Sequence, residues 1–524
     1  MPTDVLLQLN TYPLREGLKP TYGTAGFRSV ADLLPSTVFR CGALMALRAG
    51  ALRQVTGIVI TASHNPEQDN GVKLVDPSGN MLDSQWENMA DALAQATTAE
   101  QALREVELIK QTWAVGTGGT VMVAHDTRSS ALDLCKAAAA GISAVGGTPE
   151  PALLLTTPQL HWMVARRNCC LPFSEVDYFQ TLLGAFEQLR SSHCPSAKAQ
   201  ALVVDAANGV GAPKLAEAAG RLSDLGLNIN VINSGTSGAL NAGCGADFVQ
   251  KEQARPAGFE SIPSGMRCAS MDGDADRLVY FVMRKSGHAQ LFDGDRIAVL
   301  AATLLDRILH ERPGADASVR MGIVQTAYAN GSSTRYVRSR LTECEVVMTP
   351  TGVKHLHHAA AAFDIGIYYE ANGHGTILFK PSFLKTLTEG SGGWRTEMGL
   401  LSQVMNQAVG DALSGLLLVE YALCRLGWGL AQWTDLYTDL PSRQLKVAVP
   451  NRAAFTTTDA ETRLMTPRGL QCQVEAEVAK VSQGRCFVRP SGTEDVVRVY
   501  AEAENQIAAD QLAKAVASLV SEMA

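Results

Sequence analysis

No CxxC pair, no GxxxxGK[ST] stretch and no basic stripe occur in this sequence, and no segment reaches the roughly 18 apolar residues of a membrane-crossing helix. Each absence removes a class. The eleven cysteines are an odd number, and the adjacent pair Cys169–Cys170 suits neither a zinc ribbon nor a disulfide framework, so a reducing compartment is expected. Without the phosphate-binding lysine loop ATP is not the expected donor, and Gly209-Val210-Gly211 lacks the third glycine of a dinucleotide fingerprint. A net charge of -7 with 19% charged residues argues against a nucleic-acid partner. Met1 to Asn10 carry Asp4 and no basic start ahead of a long apolar run, which predicts a cytoplasmic protein with no membrane partner.

What is present is a large core. At roughly 100–200 residues per domain, the 524-residue chain is expected to form three to four domains. Apolar runs such as Gly57–Ala62, Val121–His125, Ala201–Val204, Leu278–Met283, Gly322–Gln325, Glu345–Met348 and Ile365–Tyr369 alternate with helix-like stretches such as Arg296–Leu309, an α/β rhythm. Thr396 to Leu426 reads as one long amphipathic helix leading to a different module. That module has strands near Gln444–Val449 and Val497–Ala501 and a helix over Ile507–Met523, hence α+β. Linkers are expected near Pro151–Gln159, Lys285–Ala289 and Gly427–Leu440. The resulting division is 1–158, 159–286, 287–430 and 431–524.

Four loops carry chemistry. In Thr61-Ala62-Ser63-His64-Asn65-Pro66, directly after a strand, a turn would lift Ser63 clear of the sheet as a nucleophile or phosphate carrier; taken alone, the loop reads better as a cap on the next element, with His64 a surface turn residue. The flanking glycines of a hydrolase GxSxG elbow are missing. Asp272, Asp274 and Asp276 alternate in a short loop and can converge on a hard cation such as Mg²⁺. EF-hand spacing fails, and carboxylates running into the apolar Leu278–Met283 need a counter-charge. Glu370-Ala371-Asn372-Gly373-His374-Gly375 offers groups suited to sugar hydroxyls and an N-acyl group, or else a plain turn. Arg489-Pro490-Ser491-Gly492-Thr493-Glu494, with Arg498, supplies bidentate and backbone donors for phosphate. Together these are the parts for phosphoryl transfer to and from a sugar.

The order TASHNP, DGDADR, EANGHGT and RPSGTED resembles the α-D-phosphohexomutase superfamily, in the spelling of its phosphoacetylglucosamine mutase branch. The segments Tyr22–Arg28, Asp69–Leu74, Asp205–Gly211 and Tyr437–Pro441 strengthen the likeness, which runs from about Gly23 to the end and is weakest over Cys169–Lys198. The resemblance implies four domains around a central cleft, three α/β and a C-terminal α+β. It implies interconversion of N-acetylglucosamine 6-phosphate and 1-phosphate through phosphoSer63, with N-acetylglucosamine 1,6-bisphosphate as intermediate and activator, on the route to UDP-N-acetylglucosamine. Mg²⁺ would be held by Ser63 phosphate, Asp272, Asp274 and Asp276. Lys73 would be the general acid/base, its pKa expected to be lowered by burial and neighbouring cations, with Arg28 and Arg277 supporting the phosphoryl group. Glu370, Ala371, Asn372 and His374 would meet the sugar, and Arg489, Pro490, Ser491, Gly492, Thr493 and Arg498 the remote phosphate. A phosphoglucomutase or phosphomannomutase, a hydrolase and a non-catalytic scaffold remain alternatives on sequence alone.

Overall fold

The structure is a computed structural model that describes residues 2–194, 200–312, 318–389, 392–491 and 495–523. The chain divides into two compact units. One holds residues up to Asp293 with Asn372–Thr376 and Glu397–Tyr421; the other holds Gly294–Ala371, Ile377–Thr396 and the chain from Ala422 onward.

The first unit contains two mixed sheets. In one, the order is Gly26–Val30, Asp69–Val75, Thr56–Ile60, Thr120–His125 and Thr148–Pro149. Asp69–Val75 is antiparallel to both neighbours, while Thr56–Ile60 and Thr120–His125 run parallel. Both faces are covered, which explains why GIVI is apolar without alternation. Ile58 and Ile60 pack towards the helices Pro35–Leu52 and Ala131–Ala144, and Val59 towards Thr157–Asn168. Gly42 and Gly141 let the first two helices touch: a Cβ at either would run into the Ala138 or Phe39 carbonyl.

The second sheet has the order Ala289–Phe292, Leu278–Met283, Arg267–Met271, Gln200–Asp205, Leu227–Ile232. Met271 pairs with Leu278 in an antiparallel hairpin, so Asp272–Arg277 is the turn of that hairpin. Lys285–Ala289, expected as a linker, instead turns the chain from Leu278–Met283 into the next antiparallel strand. The stretch expected as one helix from Thr396 is two, Gly393–Val404 and Ala412–Leu426. The break has a local cause. Asp411 Oδ1 accepts the N–H groups of Leu413 and Ser414 as a cap, and a Cβ at Gly410 would overlap the His374 ring.

The second unit has a sheet of order Cys344–Thr349, Met321–Thr326, Ile365–Tyr369, Gly375–Phe379, parallel where Met321–Thr326 meets its neighbours. A separate antiparallel sheet, Ser442–Ala448, Val496–Glu502 and Arg485–Pro490, packs Val447, Val488, Val497 and Val499 against Leu470–Val478 and Gln506–Glu522. The expected α/β class with an α+β C-terminal module is what forms. Among the described residues, no helix is long and apolar enough to cross a membrane.

Candidate active site

Three loops of the first unit meet backbone to backbone. A Cβ at Gly273 would stand 2.6 Å from the Ser63 carbonyl oxygen, and one at Gly209 would collide with Gly273. Val210 N–H donates to the Gly273 carbonyl at 3.1 Å. The Asp205–Gly211 loop is therefore a buttress, tied down by buried Asp205, which accepts from Ala207 N–H, Gly245 N–H, Asn233 and Ser270.

Ser63 follows the strand Thr56–Ile60 at a positive φ of 52°. Its N–H donates to Thr61 Oγ1, which donates to buried Asp126 at 2.6 Å. Its carbonyl accepts from Asn241 at 2.8 Å and Arg128 at 3.2 Å. These bonds hold the loop down, so the serine is fully buried rather than lifted clear of the sheet. Its surroundings are polar, however. Arg28, itself exposed, donates to Ser63 Oγ at 3.2 Å, and that Oγ donates to Asp274 Oδ2 at 3.1 Å.

Each aspartate of the hairpin turn spends one oxygen on the protein. Asp272 Oδ1 accepts the N–H groups of Asp276 and Arg277; Asp274 Oδ2 accepts from Ser63, Thr157 and Lys73; Asp276 Oδ2 accepts from Lys73. The other oxygen of each, Asp272 Oδ2, Asp274 Oδ1 and Asp276 Oδ1, is buried without a hydrogen bond. One oxygen from each of the three lies within 4.8 Å of the others. Buried carboxylate oxygens left unsatisfied are costly, and an all-oxygen donor set suits a hard divalent ion; the residues fit Mg²⁺.

The electrostatics agree. Burial, then Asp276 and Asp274, hold the Asp272 carboxyl well above its usual range. Burial also pushes Asp276 up, but Lys73, His374 and Arg277 outweigh it and hold this carboxyl well below. Lys73 Nζ sits 2.6 Å from both Asp274 Oδ2 and Asp276 Oδ2. Burial alone would lower its pKa, as the sequence suggested; the two carboxylates reverse the sign and raise it. Arg277 Nε lies 3.8 Å from Asp272 Oδ2 and from Asp276 Oδ1.

The glycine-rich loop divides between the units. His374 is buried, and its Nδ1 faces the Asp276 carbonyl at 3.0 Å. Asn372 Oδ1 accepts the His374 N–H at 2.9 Å, and Leu278 N–H donates to the Gly373 carbonyl. Thus Asn372 and His374 are fastened to the aspartate hairpin, whereas Glu370 and Ala371 belong to the second unit. In that unit Arg489 and Arg498 face each other across neighbouring strands, and Ser491 N–H donates to the Val496 carbonyl at 2.9 Å. Gly492 and Thr493 lie outside the described residues.

Sequence reasoning missed Thr157, Asp126, Arg128, Asn241 and His64. The signal for Asp126 and Arg128 was a charged pair just past a strand's carboxyl end. His64 is half-buried beside Ser63; burial, then Arg277 and Arg28, push its pKa down to about 4.

Four family models match the chain: "Phosphoacetylglucosamine mutase AMG1, domain II" over 170–279 and "domain III" over 293–428, and the phosphoglucomutase/phosphomannomutase α/β/α domain I over 43–102 and C-terminal domain over 445–519. The phosphoacetylglucosamine mutase of Arabidopsis thaliana is 48% identical over 98% of this chain and 97% of its own length; the Homo sapiens enzyme is 45% identical over 97% and 95%. The solved Aspergillus fumigatus N-acetylphosphoglucosamine mutase superposes with a TM-score of 0.93 at 41% identity, covering 100% of this chain and 98% of that one. The same enzyme in complex with GlcNAc-6P and magnesium gives 0.92 at 40%, covering 100% and 99%. The chain belongs to the phosphoacetylglucosamine mutase family of the α-D-phosphohexomutases.

Proposed function

We propose that this protein interconverts N-acetylglucosamine 6-phosphate and N-acetylglucosamine 1-phosphate in the cytoplasm, for UDP-N-acetylglucosamine synthesis, by passing a phosphoryl group through Ser63. The observation that carries this is Ser63 Oγ at 3.1 Å from Asp274, within a triad whose three remaining oxygens lack hydrogen bonds.

Asp272, Asp274 and Asp276, with the phosphate on Ser63, would hold Mg²⁺, which when bound neutralises charge on the transferring group. The sugar hydroxyl attacks phosphorus, the P–Oγ bond of phosphoSer63 breaks, and Oγ takes up a proton. Lys73, held protonated by its two carboxylates, gives that proton and regains one from the sugar hydroxyl. Arg28 and Arg277 hold the phosphoryl oxygens. The 1,6-bisphosphate then reverses and returns its other phosphate to Ser63. Arg489, Pro490, Ser491, Gly492, Thr493 and Arg498 grip whichever phosphate is not reacting. Glu370, Ala371 and Asn372 meet the sugar; His374, committed to Asp276, is a positioning residue.

Intact-mass measurement tests this directly. One added phosphate is expected on the purified chain, lost on incubation with N-acetylglucosamine phosphate and mapped to Ser63. A chain that never carries it would refute the covalent route. Side-by-side rates with glucose, mannose and N-acetylglucosamine phosphates decide the sugar.

A further inference from the structure

Lys446, Arg498 and Arg489 occupy directly opposed positions on the strands Ser442–Ala448, Val496–Glu502 and Arg485–Pro490. Opposed residues project from the same face, and neighbouring strands lie about 4.8 Å apart, so the three cations form one row across the whole sheet. The other face holds Val447, Val488 and Val497, packed on the helices. Like charges in opposed positions repel, so the row is a cost to the fold unless an anion meets it.

At Arg489 a carboxylate does. Glu461 Oε1 lies 3.2 Å from Arg489 Nε, and Glu461 Oε2 accepts the Thr351 N–H at 2.8 Å. Glu461 ends a run of non-glycine residues at positive φ: Asp459 at 50°, Ala460 at 55° and Glu461 at 67°. L-residues are disfavoured in that region, and three in succession at the tip of the Thr456–Thr458/Arg463–Thr466 hairpin store strain at the point that presents the carboxylate.

We infer that the phosphate site is the three-cation row Lys446–Arg498–Arg489, and that Glu461 is its internal anion, displaced from Arg489 by the non-reacting phosphate of the substrate. The inference rests on the clamp role given above to Arg489 and Arg498, and adds a third ligand and a competitor. A phosphate dianion carries more charge than one carboxylate and accepts more hydrogen bonds from guanidinium groups, so the exchange favours it.

The two new residues act with opposite sign. On the full chain, the KM for N-acetylglucosamine 6-phosphate and the calorimetric Kd for inorganic phosphate are measured together. Lys446→Met raises both by about fivefold, and Lys446→Arg restores them. Glu461→Gln, which keeps size and polarity but loses the charge, lowers both by about threefold. Unchanged values in Lys446→Met, or a raised KM in Glu461→Gln, overturn the inference; the latter would mean that Glu461 merely positions Arg489. A wild-type chain that binds phosphate with these responses yet turns over no sugar phosphate would instead refute the proposed function.

Discussion

Ser63 Oγ donates to Asp274 Oδ2 at 3.1 Å across 211 positions of sequence. The contact joins the loop after one sheet's strand to the hairpin turn of another. Replacing Ser63 by Ala removes the group that would carry phosphate while leaving Asp274 Oδ2 its bonds from Thr157 and Lys73. Stability is expected to change by no more than about 1 kcal/mol. Turnover, assayed with bisphosphate present, is expected to fall by at least about 10³-fold, the scale of losing a nucleophile. Near-wild-type turnover in this variant would rule out the covalent step.

A second prediction concerns the ion. With no divalent cation, burial and its two neighbours, Asp276 and Asp274, hold the Asp272 carboxyl well above its usual range. Asp272→Asn removes a buried charge and keeps an oxygen to accept the Asp276 and Arg277 N–H groups, so metal-free stability should move by less than about 1 kcal/mol. Binding to the native state alone stabilises by about 3 kcal/mol at a hundredfold excess over Kd, so Mg²⁺ should raise the wild-type melting temperature and chelation should reverse it. The same titration on Asp272→Asn should show most of that rise gone. Equal rises in both would place the ion elsewhere.

Acid should act through His161. This buried imidazole bonds the Gly79 carbonyl through Nδ1 at 2.5 Å, and burial pushes its pKa down from near 6.5 to about 4. The folded state binds fewer protons than the unfolded one, so the contribution is full above pH 6.5 and is lost as pH falls towards 4. The loss amounts to about 3 kcal/mol across that window. Urea midpoints at pH 7.5 and 5 should converge in His161→Asn, which keeps a donor for Gly79 and does not titrate. A wild-type midpoint flat with pH would show that His161 takes up its proton in the fold as readily as in the unfolded chain.

The parts of the site that could be read from sequence share a property: they are short runs in which chemistry is concentrated. Three alternating aspartates leave few other uses. What could not be read is contributed one residue at a time. Thr157 begins a helix yet completes the shell of Asp274, and Asn241 reaches the Ser63 carbonyl from a loop with no pattern of its own. Lys73 was identified, but its sign was not, because its two carboxylate partners come from a hairpin whose direction only pairing reveals. Strands such as Thr56–Ile60 and Leu278–Met283 were legible from their apolar runs, whereas Asp69–Val75 and Arg267–Met271, of mixed sequence, were not. The break before Asp411 was not, since its side chain could equally have faced solvent within one helix, and only its bonds to the Leu413 and Ser414 N–H groups mark it as a cap.

Gly273 gives the sharpest test of the backbone contact. Its added Cβ would meet Ser63 O at 2.6 Å, Asn241 Nδ2 at 3.0 Å and Leu240 Cδ1 at 3.2 Å. The first is a backbone oxygen already held by Asn241 and Arg128, so it cannot swing aside as a long side chain would. Gly273→Ala must therefore push the Ser63 loop away from the aspartate turn. Overpacking of this kind costs about 1–3 kcal/mol, and a displacement near 1 Å at reacting groups lowers turnover by about 10²-fold. Gly184 is the control: it lies in the helix Glu175–His193 with nothing within 4 Å of its added Cβ. Gly184→Ala should stabilise by up to about 1 kcal/mol and leave turnover alone. If Gly273→Ala behaved like Gly184→Ala in both melting and turnover, the two loops would not be in register as described, and Ser63 would not be aimed at Asp274.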